Sequence, residues 1–368
     1  MVYNLFTMSR LVIFFVGILT FFGLLFYIKE RPKVPESNRQ ISEVIKESPQ
    51  IEVVASNLEV PWAMAYLPDG RLLFTERKGT ISVLENGNVS QIGSLEDVSQ
   101  ISESGLHGIT IHPNFETNKY IYIYYTYSSE SGRNLNRVIR FRFSDNTLSD
   151  RKIVLDGIPA AGIHDGGRIK FGPDGYLYIT TGDAANPSNS QDRNSLSGKI
   201  LRVTDEGKNV ADNPFGNATY SIGHRNPQGL SWDDKGNLWE TEHGSTATDE
   251  LNKIQKGGNY GWPDVRGEQE RSGIISPVLQ SGSETWAPAG LAYLNGSLFF
   301  AGLRGQALFE YKVSEGRLLE HFKGELGRIR DVIASPDGYL YITTSNRDGR
   351  GFPKSGDDKI IKVNPNKL

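Results

Sequence analysis

Copies of one turn-and-strand pattern predict that the chain is all-β and folds as a six-bladed β-propeller. In the clearest copies an Asp-Gly turn precedes alternating apolar and polar residues, as in FGPDGYLYITTGD from Phe171 and ASPDGYLYITTSN from Ala334. Asp and Gly adopt the dihedral angles of a tight turn, and the alternation places one face of a strand inward. Two further clear copies start at Tyr66 and Trp232, and two looser copies start at His112 and Tyr293.

The spacing of these copies distinguishes a propeller from two other all-β folds. The starts lie about 40 to 60 residues apart, and propeller blades run to about 40 to 50 residues. A β-sandwich would not produce regular copies of one hairpin, and a parallel β-helix would have shorter repeats. The 40 glycines and the 10% aromatic content are typical of a turn-rich β protein. We expect the loops next to the hairpins to surround the mouth of the central channel and to carry function.

The first 50 residues differ in composition from the rest. Residues 11–28, LVIFFVGILTFFGLLFYI, are apolar apart from glycine and one threonine, and basic residues flank them. This length is near the minimum for a membrane-spanning helix, and no A-x-A cleavage pattern follows. We therefore expect residues 1–30 to be a transmembrane anchor, or else a signal segment, and residues 31–50 to be a polar tether. Residues 51–368 would then be an extracytoplasmic catalytic propeller, which is either membrane-anchored or secreted after cleavage.

Charge and cysteine content exclude some classes of function. The chain has 40 Lys+Arg and 43 Asp+Glu, a formal net charge of −3, which gives no reason to expect a nucleic-acid partner. It has no cysteine, so its stability comes from packing or from bound metal rather than from disulfides. The sequence also lacks a P-loop and a G-x-S-x-G motif.

One of the six histidines is a candidate catalytic base. His164 lies next to two glycines (residues 166–167), where we expect the backbone to let a ligand approach closely. An imidazole titrates near neutral pH, as a general base should. We expect His107 and His112 to cap or pack in and beside strands, and His321 to lie at the surface.

Two arginines form a candidate anion clamp. Arg328 and Arg330 are two residues apart, and on an extended strand such residues point to the same face. Two guanidiniums on one face suit carboxylates or phosphates, and Arg304 would add a third positive charge. The alternative is ordinary solvated arginine on the surface.

Two loops concentrate other polar groups. GHRNPQGL (residues 223–230) has a course restricted by glycine and proline, and ETEHGSTATDELNKIQKGGNYGWP (residues 240–263) offers the hard oxygen ligands that calcium prefers. A structural turn and a solvated acidic loop remain the alternatives. The groups are Arg225, Asn226 and Gln228 in the first loop, and in the second Glu242, Asp249 and Glu250 with backbone carbonyls near Gly244 and Tyr260.

A series of motifs resembles a known family. ESGLHGITIHPNF, HDGGRIKFGPDGYLYITTGD, SLSGKILRV, GHRNPQGL, EHG, DELN, GGNYGWP and RIRDVIASPDG occur in the order seen in soluble pyrroloquinoline quinone (PQQ)-dependent sugar dehydrogenases. The sequence between Ile51 and Val363 is most similar to their aldose sugar dehydrogenase branch, in the glucose/sorbosone dehydrogenase family. This resemblance implies a six-bladed propeller that binds PQQ and calcium.

The resemblance also implies roles for single residues. His164 is similar to the base that takes the proton of the sugar hydroxyl. Positions around PQQ are matched by Glu103, Arg225, Asn226, Gln228, Trp286, Arg304, Arg328 and Arg330. The carbonyls that hold the PQQ calcium are matched by Gly244 and Ser245, and a second, structural calcium site is matched by Asp249, Glu250 and Tyr260.

Three positions depart from the family pattern. Ser245 stands where proline is frequent, but its backbone carbonyl can still bind calcium. His107 stands where leucine is usual. Ala184 replaces a polar residue of the glucose-oxidising branch, whose long loop insertions are also missing, so we expect a shallow and less selective sugar site.

The implied function is PQQ- and calcium-dependent oxidation of aldose sugars at C1 to lactones. PQQ carries three carboxylates, which several arginines would suit. The electrons would pass to an external acceptor (a quinone, a cytochrome or a dye), with the N-terminal helix holding the protein at the membrane. Two alternatives are a non-redox extracellular binding propeller and a calcium-dependent lactonase. The base together with the arginines argues against the first, and no central set of carboxylates is evident for the second.

Overall fold

The computed structural model describes residues 51–368, which form six four-stranded antiparallel sheets. The first twelve strands are β1 (Ile51–Ala55), β2 (Pro61–Tyr66), β3 (Leu72–Glu76), β4 (Thr80–Glu85), β5 (Asn88–Ser94), β6 (Leu106–Ile111), β7 (Tyr120–Ser128), β8 (Asn134–Ser144), β9 (Thr147–Pro159), β10 (Ile169–Phe171), β11 (Leu177–Thr181) and β12 (Lys199–Val203).

The second half of the chain continues in the same way. Its strands are β13 (Thr219–Ile222), β14 (Pro227–Trp232), β15 (Leu238–Glu242), β16 (Glu250–Ile254), β17 (Leu279–Gln280), β18 (Pro288–Leu294), β19 (Ser297–Gly302), β20 (Ala307–Lys312), β21 (Arg317–His321), β22 (Ile329–Ala334), β23 (Leu340–Thr344) and β24 (Ile360–Val363). Short helical turns are α1 (Phe115–Asn118) and two 3-10 turns, Pro187–Ser190 and Pro365–Lys367.

The sheets are the blades of a propeller, as the sequence predicts. Blade 1 is β2–β5, blade 2 is β6–β9, blade 3 is β10–β13, blade 4 is β14–β17, blade 5 is β18–β21, and blade 6 is β22–β24 together with β1. Consecutive blades contact one another through their inner strands, and β22 also contacts β2, which closes the ring. The predicted six-bladed propeller is therefore confirmed.

The repeated sequence pattern has one structural meaning. Each copy is the hairpin that joins the first and second strands of a blade, such as β10 to β11 after Phe171 and β22 to β23 after Ala334. Gly175 and Gly338 in these two turns have φ of +78° and +82°, a region in which a side chain causes strain. This requirement explains why the Asp-Gly pair recurs in the sequence.

The direction of the strands determines which loops share a face. The first strand of each blade ends at the repeated hairpin, and the second strand runs back. The loops before the first strands and the loops joining second to third strands therefore lie together, on the face opposite the hairpin turns. This arrangement refines our expectation about the loops near the hairpins. The loops at the opposite ends of the hairpin strands surround the channel mouth, whereas the hairpin turns lie on the other face of the propeller.

Apolar residues pack between adjacent blades. Ala289 and Leu308 of blade 5 pack with Ile342 and Ile361 of blade 6, and all four are fully buried. Burying a Leu or Ile side chain completely contributes about 1.5–3 kcal/mol to folding. These contacts hold neighbouring blades in a fixed orientation, so the loops at their ends are rigidly placed.

A buried ion pair crosses the channel. Arg168, just before β10 in blade 3, lies 2.9 Å from Asp331 in β22 of blade 6. The second oxygen of Asp331 accepts a hydrogen bond from the backbone of Met64 in blade 1 (2.9 Å), and Arg168 donates to the carbonyl of Gln228 in blade 4 (3.0 Å). Four blades are therefore connected at the axis, beside Trp62, over which the Arg168 guanidinium lies at 4.6 Å.

One histidine lies elsewhere than expected. His321 was expected at the surface, but it is 4% exposed and its Nε2 lies 2.9 Å from a carboxylate oxygen of Glu310 on the neighbouring strand. The expectation was wrong because strand β20 covers the side chain of His321, although β21 is the outermost strand of its blade.

The ring is closed by strands from the two ends of the described chain. β1 pairs with β24, with Ile51 opposite Val363 and Val53 opposite Ile361. The predicted anchor (residues 1–30) and tether (residues 31–50) lie outside the described residues. Within residues 51–368, no helix has the length and apolar character needed to cross a membrane.

Candidate active site

A cavity of about 560 Å³ opens on the face opposite the hairpin turns. All six blades contribute residues to it, from the starts of first strands and from the loops between second and third strands. The sequence-predicted residues that line it are Glu103, His164, Arg225, Gln228, Gly244, Ser245, Asp249, Arg304, Arg328 and Arg330. Residues from distant parts of the sequence are thus brought to one site, as a propeller mouth requires.

His164 is oriented by a buried carboxylate. Its Nδ1 lies 2.8 Å from Oδ1 of Asp183, which follows β11 and is completely buried. Asp183 Oδ1 also accepts from the backbone of Ala185 (2.9 Å), and Oδ2 accepts from Nε1 of Trp262 (2.9 Å). Because an ionised carboxylate only accepts, Nδ1 carries the proton and Nε2 is left as a proton acceptor at the cavity.

The glycines beside His164 allow a tightly packed loop. Gly166 and Gly167 have φ of +63° and +103°. A Cβ on Gly166 would lie 2.7 Å from the carbonyl oxygen of Thr180, and one on Gly167 would lie 2.6 Å from Nδ1 of His107. These glycines therefore let the loop pack closely against the protein, and Gly166 also lines the cavity, where a ligand would approach it.

The predicted clamp is present and buried. Arg328 is held by Asp348, with Nε and Nη2 at 2.9 and 2.8 Å from Oδ2. Arg330 donates from Nη1 to the side-chain oxygen of Gln228 at 3.1 Å, while its Nε is buried without a partner. Burial lowers the pKa of Arg330 to about 10, so it is still charged at neutral pH. These are not the solvated surface arginines of the alternative interpretation.

Glu103 links the histidine loop to blade 6. Its side chain accepts from the backbone N–H of His164 (3.3 Å) and forms an ion pair with Arg350. Its backbone carbonyl lies 3.0 Å from Nε2 of His107. His107 is buried and stacks on Trp62 at 4.8 Å between ring centres, so its predicted packing role is confirmed.

The Gly244 loop presents its carbonyls toward the cavity. Nη1 of Arg225 donates to the carbonyl oxygens of Gly244 (2.6 Å) and His243 (3.2 Å). The Gly244 N–H donates to Oδ1 of Asp249 at 2.8 Å. The other oxygen of Asp249 accepts from the backbone of Trp286 (2.6 Å) and of Ala287 (2.8 Å). Asp249 thus braces the loop that carries the predicted calcium carbonyls.

Glu250 and Tyr260 line a smaller cavity together with Glu242, and this cavity adjoins the main one at Arg225, His243, Gly244 and Ser245. Burial, with Glu242 nearby, raises the pKa of Glu250 to about 8. Glu240 is also buried, its pKa is raised by burial, and one of its oxygens has no partner. Buried carboxylates in such proximity are stabilised by a bound cation.

Two of the residues predicted to contact PQQ do not line the main cavity. Asn226 accepts from the backbone N–H of Gly166 (3.1 Å), so it positions the histidine loop, while its own amide nitrogen is buried without a partner. Trp286 is buried against Phe300 and Phe309, with ring centres 5.6 and 5.5 Å away. It belongs to the core of blade 5.

Several cavity residues were not singled out from the sequence: Arg77, His243, Asp348 and Arg350 line the cavity, and Asp183 holds His164. The Asp at the end of ITTGD, directly after a predicted strand, was a usable signal for Asp183. Arg350 had no such signal, because its partner Glu103 lies 247 positions away in the sequence.

The cavity suits a large anion with several carboxylates. Six arginines line it: Arg77, Arg225, Arg304, Arg328, Arg330 and Arg350. The Nε atoms of Arg77, Arg225 and Arg330 are buried and have no hydrogen-bond partner in the part of the chain that the structure describes. Unpaired buried donors are costly unless a ligand accepts from them, so the donor set fits a tricarboxylate such as PQQ.

The fold and this site define a class of protein, the six-bladed propellers with a cationic active-site cavity at the channel mouth. Within that class, the chain belongs to the glucose/sorbosone dehydrogenase family, whose model matches residues 58–354.

Named relatives agree with this assignment. The aldose sugar dehydrogenase YliI of Escherichia coli is 32% identical, with 86% of this chain and 92% of the relative covered. The quinoprotein glucose dehydrogenase B of Acinetobacter calcoaceticus is 33% identical, over 65% of this chain and 58% of the relative. The PQQ-bound aldose sugar dehydrogenase of Streptomyces coelicolor superposes with a TM-score of 0.81 at 40% identity, covering 85% of this chain and 97% of that one.

Proposed function

We propose that the protein is a PQQ- and calcium-dependent dehydrogenase that oxidises aldose sugars at C1 to lactones and passes the electrons to an external acceptor. Membership of the family and the relatives named above support the class of reaction. The observation that carries the proposal is the placement of the His164–Asp183 pair in the same cavity as the six arginines.

The chain's own residues would handle the proton. Nε2 of His164 accepts the proton of the anomeric hydroxyl, and the Asp183 carboxylate stabilises the imidazolium that forms. When bound, PQQ supplies a quinone that takes up the hydride from C1, and calcium polarises that quinone. C1 thereby becomes the carbonyl carbon of the lactone, and His164 then returns its proton to water.

The donor set assigns holding roles. The guanidiniums of Arg328 and Arg330 and the amide of Gln228 would hold the carboxylates of PQQ. The hydrogen bond from Arg330 to Gln228 fixes the orientation of these two side chains. The carbonyls of Gly244 and Ser245 would hold the PQQ calcium. A second calcium would be held by Glu250 and Tyr260, which line one small cavity, and by Asp249, whose carboxylate also accepts from the Gly244 backbone.

The alternative lactonase would need a metal at the channel mouth held by side-chain carboxylates. His224, Glu240 and Glu242 bring possible ligand atoms within 4.8 Å of one another. None of these three residues lines the main cavity, so this cluster does not supply such a centre there.

We also propose that the protein works outside the cytoplasm, held at the membrane by residues 1–30, where a quinone or a cytochrome can accept its electrons. The apolar run of residues 11–28 motivates this proposal. Fractionation of cells that produce the tagged full-length chain would test it, since recovery in the cytosolic fraction would refute it.

The enzymatic proposal is tested by reconstitution. The full-length chain is supplied with PQQ and calcium, and dye reduction is followed with a panel of aldoses. We expect activity with several aldoses that His164→Asn abolishes while PQQ still binds. His112→Asn, at a hairpin on the opposite face, is the matched control and should remain active. Failure to bind PQQ and to oxidise any aldose would favour the binding propeller instead.

A further inference from the structure

Arg225 reaches the carbonyl that is expected to bind calcium. Its Nη1 lies 2.6 Å from the carbonyl oxygen of Gly244 and 3.2 Å from that of His243. Its guanidinium lies over Trp262, at 5.3 Å from the ring centre, and its Nε is buried without a partner. Nη1 of this guanidinium therefore donates to the Gly244 loop, while Nε remains as a donor for a ligand.

A guanidinium and a divalent cation cannot both use this oxygen at full strength. Both are positively charged, and their repulsion is strong over a few ångströms in a partly buried site. A cation bound to the Gly244 carbonyl would therefore weaken or break the contact with Arg225.

The guanidinium is the partner that can move. The backbone N–H of Gly244 is tied to Asp249, whose other oxygen is occupied by two backbone amides. A Cβ on Gly244 would lie 2.0 Å from the carbonyl oxygen of Ala247, so the loop is tightly folded at this point. Within residues 51–368, in contrast, hydrogen bonds hold the Arg225 side chain at one nitrogen only.

We propose that the Arg225 guanidinium and calcium are alternative occupants of the Gly244 carbonyl. Calcium displaces the guanidinium, which then turns its donors to the anionic cofactor. Arg225 is thus a positioning residue that couples the two binding events: calcium raises the affinity for PQQ, and PQQ raises the affinity for calcium by the same factor. This inference rests on the proposed function, because it takes calcium and PQQ as the ligands.

The test is calcium binding without cofactor. The full-length chain is freed of metal with a chelator and titrated with Ca²⁺ by calorimetry, as wild type, Arg225→Met and Arg304→Gln. Arg304→Gln is the matched control, because it also removes one cavity charge but no contact with Gly244. We expect Arg225→Met to bind the cavity calcium more tightly than the control does, by about 5- to 150-fold, the range of typical coupling.

A second readout is PQQ affinity, measured through quenching of tryptophan fluorescence with and without calcium. We expect calcium to tighten PQQ binding in all three proteins, through its own contact with the cofactor, but by a smaller factor in Arg225→Met than in wild type and Arg304→Gln. Equal calcium affinity in Arg225→Met and the control would overturn the inference while leaving the proposed function standing. Absence of calcium and PQQ binding in wild type would instead overturn the proposed function, and the inference with it. If Arg225→Met fails to fold by circular dichroism, Arg225→Gln, which also removes the positive charge, replaces it with the same expected outcomes.

Discussion

Asp183 holds His164 through a contact of 2.8 Å between Oδ1 and Nδ1, and the same carboxylate accepts the indole N–H of Trp262. His164 is fixed at both its backbone and its imidazole ring. Nε2 is therefore the unprotonated nitrogen that faces the cavity. Three blades take part, because Glu103 of the preceding blade binds the His164 backbone and Trp262 lies between β16 and β17 of blade 4.

Replacing Asp183 by asparagine should reduce kcat with little effect on KM. The amide can no longer enforce the tautomer or stabilise the imidazolium, and we expect a loss of about 10²- to 10⁴-fold, the contribution typical of general base catalysis. Steady-state kinetics with an aldose and a dye would measure it. Asp233→Asn is the matched control, because Asp233 also accepts an indole N–H, from Trp239, but lies at a hairpin on the other face. A similar loss of kcat in both variants would contradict the role of Asp183.

Replacing Arg330 by glutamine should weaken PQQ binding. Arg330 is buried with an unpartnered Nε, and hydrogen bonds to charged groups contribute about 1.5–3 kcal/mol, so the affinity should fall by about 10- to 100-fold. Fluorescence titration with PQQ at saturating calcium measures this change. Arg71→Gln, in a hairpin turn on the opposite face, should leave the affinity unaltered. An unchanged affinity in Arg330→Gln would remove Arg330 from the cofactor site.

His107→Leu should change how stability depends on pH. Burial lowers the pKa of His107 to about 3, whereas an unfolded histidine titrates near 6.5. Below pH 6.5 the unfolded chain therefore binds the additional proton, and the wild-type protein loses up to about 1.4 kcal/mol per pH unit as the pH falls toward 3. Leucine removes this loss.

Urea unfolding of both proteins at pH 8 and pH 5 measures the effect of that substitution. Relative to wild type, the variant should gain about 2 kcal/mol on going from pH 8 to pH 5, whatever the cost of repacking against Trp62 at either pH. Parallel pH profiles for the two proteins would show that His107 is not held neutral.

Removing calcium should lower the unfolding temperature, in part through Glu250. A ligand at 100 times its dissociation constant stabilises the folded state by about 2.7 kcal/mol. Calcium should raise the unfolding temperature of wild type and of Glu268→Gln, an exposed control, and should raise that of Glu250→Gln less. Differential scanning calorimetry with calcium and with a chelator measures this. An equal rise in all three proteins would exclude Glu250 as a ligand.

The sequence predicted what is encoded locally. The Asp-Gly turns predicted the blades, because their dihedral angles depend only on the residues of the turn. Arg328 and Arg330 were predicted to share a face from strand geometry alone, and both do line the cavity. His164 was found through its local sequence and its resemblance to the family, but the packing requirement at its glycines was not predicted.

Relationships across blades were not predictable in the same way. The resemblance to the family implied that Asp249 and Glu250 belong to one calcium site, yet successive side chains at a strand point to opposite sides. Asp249 lines the main cavity and Glu250 the small one. Trp286 was placed at the cofactor, but the core of blade 5 takes up its ring. Which cavity or core a side chain enters depends on how all six blades are arranged around the channel.

The pairing of Ile51 with Val363 has a consequence for biosynthesis. Because the sheet of blade 6 takes one strand from the start of the propeller and three from its end, the toroid cannot close until translation has reached the last residues. The nascent chain would carry an incomplete sixth sheet with open strand edges throughout elongation, a condition that favours aggregation. A premature stop codon before Ile360 would leave β1 without its partner, and quality control should remove such truncated products.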